Sequence, residues 1–150
     1  MRRFPKRIAV LASLALFIVS LILPALEFGS RGPVRGITAL CWGWWGLLTL
    51  DFPWLANPAY FAALFFALID KKLIGQLLSG LAFGMGLLSL RVRAWWFNEA
   101  SATPIQNLGL AFYLWMGSFL VLFVLLFFRG KPQSQIKNLA SGPPRLPIAE

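Results

Sequence analysis

Four stretches of this chain run without a charged residue for about the length needed to cross a lipid bilayer. That restricts the fold more than any other feature of the sequence. The stretches cover residues 8–26, 54–69, 73–90 and 108–128. A helix rises about 1.5 Å per residue, so roughly 20 residues match a hydrocarbon core of about 30 Å. Hydrophobic residues make up 59 % of the chain and charged residues 13 %, against about 25 % charged in soluble domains. A soluble fold of 150 residues has too little interior to hide that much apolar surface. The expected fold is an all-α membrane protein, a four-transmembrane-helix bundle forming one domain over residues 1–128. Residues 129–150 carry Pro132, Pro143, Pro144 and Pro147 among polar side chains. They are expected to form a disordered basic cytoplasmic tail.

Residues 37–50 admit two readings. They are apolar enough to enter the membrane, but they are short and are followed by Asp51 and Pro53. The distribution of the 14 cations favours one reading. With four spans, Arg2, Arg3, Lys6, Arg7, Lys71, Lys72, Arg129, Lys131, Lys137 and Arg145 lie inside, and Arg31, Arg35, Arg91 and Arg93 outside. A fifth span reverses that excess, against the preference for cytoplasmic Lys and Arg. Residues 37–50 are therefore expected to be a short interfacial or re-entrant segment on the outer face, with both chain ends cytoplasmic. The first run also has the layout of a secretory signal peptide. Its length and the lack of a clear A-x-A site favour a retained helix.

Six tryptophans, Trp42, Trp44, Trp45, Trp54, Trp95 and Trp96, fall at the outer rim of the four-span arrangement. There an indole keeps its ring in apolar surroundings and its N–H near water. The third span carries small residues at helix-packing spacing: Gly80 with Gly84, Ala82 with Gly86, and Gly75 with Ser79. Small side chains let backbones approach where lipid supplies no hydrophobic drive. The stripe packs against the second or fourth span or, alternatively, against a partner helix or a second copy. Asn57 and Pro58 read as the cap and first residue of the second helix; a start near Phe52 would instead make Pro58 a kink. Asn107 is placed to cap the fourth. Glu27, Arg31, Arg35, Asp51, Asn57, Arg91, Arg93, Asn98 and Glu99 make up a candidate outer polar cap, suited to an anionic headgroup or a partner protein.

What is missing narrows the function. Histidine is absent and Cys41 is the single cysteine, so neither metal ligation, a cofactor site nor an intrachain disulfide is expected. No Asp, Glu, Lys, Arg or His lies within the four spans, which argues against a proton pump, an ion-coupled carrier or a voltage sensor. The polar side chains noted there are chiefly Gln76, Ser79, Ser89, Tyr113 and Ser118. Catalysis has only Glu27, Asp51, Asp70, Glu99 and Glu150, with Cys41, to draw on, and no catalytic residues are assigned. The net charge of +9 sits at the ends of apolar runs, where it meets headgroups rather than nucleic acid.

The segment GWWGLLTLDFPWLANPAYFAALFFAL, followed by Asn98-Glu99 and then FYLWMGSFLVL, resembles a loose group of small bacterial inner-membrane proteins. Members of that group have a G-W-x-G-rich outer segment, a W-L-A-N-P opening of the second helix and a Y-Y-L-W-L-x-S-like fourth helix. The matching positions here are Gly43 to Pro58, Asn98 to Glu99 and Tyr113 to Ser118. The resemblance implies a bacterial inner membrane and four helices, and no activity. This chain departs from the group at Ala100-Ser101-Ala102, where a glycine-rich run is the pattern. The expected function is that of a non-enzymatic membrane protein: an accessory subunit, an assembly factor or a scaffold. The alternative is a small transport or lipid-handling module acting as an oligomer.

Overall fold

The computed structural model describes residues 6–29, 31–98 and 101–127; the expected tail and Glu99 lie outside them. Five α-helices dominate: α1 Lys6–Ile22, α2 Gly36–Trp42, α3 Ala56–Leu68, α4 Lys72–Leu88 and α5 Leu110–Phe127. Two helical stretches, Lys72–Arg91 and Leu110–Phe127, are long and apolar enough to cross a membrane. The other two long helices are shorter than the runs that encode them. α1 stops at Ile22, four residues before the apolar run ends. Pro24 supplies no N–H and disfavours helical backbone at Leu23. The second apolar run opens with a 3-10 turn at Pro53–Leu55 and becomes α-helical at Ala56.

Ends that were expected to be capped are made differently. α3 starts before Pro58, and Asn57 lies inside its first turn rather than capping it. Asn107 is in a strand, not at a helix cap. The expected all-α fold is corrected by five short strands. β1 (Pro24–Glu27) is the centre of a three-stranded antiparallel sheet between β2 (Val34–Arg35) and β5 (Asn107–Leu108). Leu26 pairs with Val34 on one side and with Leu108 on the other. β3 (Ala94–Asn98) and β4 (Ser101–Pro104) form a separate two-stranded ladder, with Trp95 opposite Thr103. The sheet ties the α1–α2 connection to the α4–α5 connection, and further N–H groups close it: Gln106 to the Glu27 carbonyl and Gly109 to the Ala25 carbonyl, each at 2.9 Å. Residues 36–50 form α2 and then a 3-10 segment, Gly43–Thr49. Gly36 is required at the junction, because a Cβ there would overlap the Ser20 carbonyl.

α1 packs chiefly on α5 and α3 on α4, while α4 and α5 join the two pairs. On three helices a set of the buried positions repeats at alternating intervals of three and four. They are Val10, Ser13, Phe17 and Ser20 in α1, and Ala56, Tyr60, Ala63 and Ala67 in α3. In α4 they are Gly75, Ser79, Ala82 and Gly86. This is the 3.5-residue spacing of left-handed helix bundles. It sorts the expected packing residues into two groups. Gly75 faces backbone atoms of Ala63 and Ala67, and Gly86 faces Met116 and Phe119. Gly80 meets only the ring of Phe123, and Gly84 is exposed with nothing within 4 Å of a Cβ placed there. Within the chain the two GxxxG glycines lie off the buried seam.

Aromatic rings fill the centre. Phe17 of α1 stacks on Tyr60 of α3 at 5.1 Å between centroids, and Tyr60 meets Phe119 of α5 at 4.9 Å. Gly86→Leu is expected to lower stability by about 1–3 kcal/mol through overpacking against Phe119. Gly84→Leu is expected to stay within about 0.5 kcal/mol of the parent. Unfolding of both variants in detergent, followed by tryptophan fluorescence, separates the two outcomes.

Candidate functional site

A partly open cavity of about 180 Å³ lies at the sheet end of the bundle. It is built where the short elements meet the helices. α1 contributes Phe17 and Leu21, α2 and its 3-10 extension contribute Leu40, Trp42 and Trp45, and the turn before α3 contributes Trp54. β3 adds Trp95 and Trp96, and α5 adds Phe112 and Trp115. The six indoles come from five segments spread over 74 positions of the sequence, from Trp42 to Trp115, and they converge because the sheet closes the loops over the helix ends.

The walls are held by hydrogen bonds that run from helix to helix. The Trp54 Nε1–H donates to the Leu40 carbonyl at 2.7 Å, which fixes α2 against the turn before α3. The Asn57 Nδ2 donates to the Trp54 carbonyl at 3.1 Å, and its Oδ1 accepts from Trp115 Nε1 at 2.9 Å. One amide thus joins α3 to α5 beneath the cavity floor. A turn deeper, the Ser13 hydroxyl donates to the Ser118 carbonyl at 2.8 Å. A hydroxyl has one proton, so the Tyr60 O–H must be the donor in its 2.8 Å bond with Ser13 Oγ. At the opposite end, Gln76 donates to the Leu126 carbonyl at 2.7 Å and links α4 to the end of α5. Among the described residues, every buried side-chain nitrogen and oxygen has a partner. Of the lining side chains, Trp54, Asn57, Trp115, Ser20 and Ser89 are thus bonded within the protein. Ser20 donates to the Phe17 carbonyl and Ser89 to that of Gly86, which leaves a largely apolar interior.

The sequence-predicted residues divide clearly. Trp42, Trp45, Trp54, Trp95 and Trp96 meet around the cavity, while Trp44 lies outside it, stacked on Trp45 at 4.9 Å. Of the proposed polar cap, Asp51 and Asn57 line the cavity. Asn57 is buried, so it belongs to the floor and not to an exposed cap. Arg35, Arg91 and Arg93 are exposed, next in sequence to wall residues Gly36, Val92 and Ala94. Glu27 is exposed in β1. Arg31 stands over the ring of Phe97, 4.7 Å from its centroid, rather than in the cavity wall. Asn98 ends β3. Cys41 is exposed on α2. No three of His, Cys, Asp and Glu gather into a metal-binding group among the described residues.

The residues that sequence reasoning missed are Ser13, Tyr60 and Trp115. Each lies within an apolar run and reads as filler. The available signal was Trp115 itself: an indole N–H deep in an apolar helix needs an acceptor, and Asn57 was one of few candidates. No protein-family model matches the chain, and neither does a curated protein or a solved structure.

Asn57→Leu would strand the Trp115 N–H in an apolar wall, at an expected cost of about 1–3 kcal/mol. Adding Trp115→Phe should return part of that loss, because the orphaned donor is then gone. A double-mutant cycle on unfolding free energies is expected to give coupling of about 0.6–1.7 kcal/mol, and strict additivity would show the bond to be idle.

Proposed function

We propose that this chain is a four-span protein of a bacterial inner membrane, with both ends in the cytoplasm and the aromatic cavity at the outer surface. The observation that carries this reading is the inverted placement of polarity. Large apolar side chains point outward on every long helix: Leu11 and Ile22 on α1, Phe65 and Leu68 on α3, Leu73 and Leu77 on α4, Leu120 and Phe127 on α5. Ser13, Ser20, Asn57, Ser79 and Ser118 point inward. A water-soluble bundle has the opposite arrangement, with charged and polar faces turned to solvent. Lys72–Arg91 and Leu110–Phe127 have the length for a full crossing. The shorter α1 and the Pro53–Leu68 stretch reach the interface with the sheet and the tryptophans filling the remaining depth at one end. In the sequence, ten of the 14 Lys and Arg precede the first apolar run, join the second to the third or follow the fourth, which supports a cytoplasmic location for those ends of the runs.

Within that setting the chain acts as a non-enzymatic accessory subunit, assembly factor or scaffold. Its buried polar groups are used in holding its own helices, and its broad apolar faces remain for lipid or for partner helices. Trp54 and Asn57, the first and fourth residues of the W-L-A-N-P segment, brace the cavity. The cavity favours a second reading, a lipid-handling module, because a scaffold has no need of an indole-lined hollow.

Two measurements test these readings. An impermeant maleimide is expected to label Cys41 from outside intact spheroplasts; labelling only in inverted vesicles would overturn the topology. Purification in mild detergent is expected to recover a membrane-protein partner, and recovery of the chain alone at native expression would overturn the scaffold reading.

A further inference from the structure

We propose that the aromatic cavity binds the end of one acyl chain of an anionic lipid, with the phosphate of its headgroup held by Arg35, Arg91 and Arg93. The inference rests on the membrane setting proposed above and names the ligand of the lipid-handling reading.

The interior decides the first half. Its volume of about 180 Å³ is slightly more than the roughly 150 Å³ of a dry apolar cavity that takes up benzene. It suits a compact run of carbons and is too small for a whole lipid. The bonded polar groups of the lining, Trp54, Asn57, Ser20 and Ser89, already have partners within the protein, so a polar guest gains little from them. Burying methylenes against indole faces is favourable without any such requirement.

The surroundings decide the second half. Arg91 and Arg93 interleave with the wall residues Ser89, Val92 and Ala94, and Arg35 immediately precedes the wall residue Gly36. All three are exposed. The described acidic residues on or beside the wall are Asp51, exposed on it, and Glu27, exposed in β1 next to the wall residue Leu26. Arg31, over Phe97, adds a fourth cation at this end. The balance is positive, so an anionic head is drawn in and a cation repelled. Guanidinium groups also pair with phosphate oxygens through two parallel N–H bonds. The competing occupant is a quaternary ammonium group caged by the indoles near Asp51, and the positive surroundings disfavour it.

The test uses the full chain in neutral detergent. It is titrated separately with dioctanoyl phosphatidylglycerol, dioctanoyl phosphatidylcholine, octyltrimethylammonium and inorganic phosphate. Binding is read by tryptophan fluorescence and stoichiometry by native mass spectrometry. Phosphatidylglycerol is expected to saturate at one per chain, about tenfold tighter than phosphatidylcholine, with no saturable response to phosphate alone. Arg91→Gln with Arg93→Gln is expected to remove most of that preference. Ala39→Phe, which fills the cavity from α2, is expected to weaken both lipids alike. Equal affinity for the two lipids, tighter binding of octyltrimethylammonium, or an unchanged preference in the arginine variant would each overturn the proposal. The titration reads the cavity itself, so its failure is distinguishable from a failed topology at Cys41.

Discussion

Every backbone N–H and carbonyl in an apolar setting must find its partner inside the protein, and the architecture here follows from meeting that requirement. Within the helices the backbone does so alone. At the sheet end it cannot, because Pro24 halts α1 and the chain must travel from one helix to the next. The strands are the solution: β1 pairs on one edge with β2 and on the other with β5. The two long connections thereby satisfy each other's backbone groups. Side chains extend the same logic. Asn57 uses its amide nitrogen and oxygen on two tryptophan residues, and Ser13 accepts from one helix while donating to another.

This bonding explains why the cavity has the character it does. A hollow bordered by unpaired polar groups would fill with water. Here Trp54, Asn57 and Trp115 bond one another or the main chain, so what remains facing the space is mostly ring and methylene. The helix packing beneath is of the same economical kind. Small residues on α4 meet small residues on α3, and the large rings of Phe17, Tyr60 and Phe119 occupy the centre between α1, α3 and α5. One surface thus gains its contacts by close backbone approach and the other by ring area.

The apolar runs were legible from the sequence, and so was the interruption between the first and second of them. The inward face of each helix was much less so. When every position is apolar, hydrophobicity carries no period, and the eye falls on motifs such as Gly80-x-x-x-Gly84. The seam runs instead through Gly75, Ser79, Ala82 and Gly86, set by the 3.5-residue spacing shared with α1 and α3. The strands were hidden for a related reason. Pro24-Ala25-Leu26 reads as the tail of a span, and Trp95-Trp96-Phe97 as an interfacial belt, because segments of two to five residues leave no periodic trace. The tryptophans stood out individually, yet nothing in their spacing told that five of the predicted six would border one space.

By itself the sequence determined how many long apolar segments exist and where charge is excluded. Those properties are local: they depend on residue type and on neighbours a few positions away. Only the tertiary structure decided which serine, tyrosine and tryptophan would meet, that the α1–α2 and α4–α5 connections would form one sheet, and that an apolar hollow would remain beneath it. These features join residues as far apart as Ser13 and Ser118. Such partners are chosen by the packing of whole helices, and no local pattern records the choice.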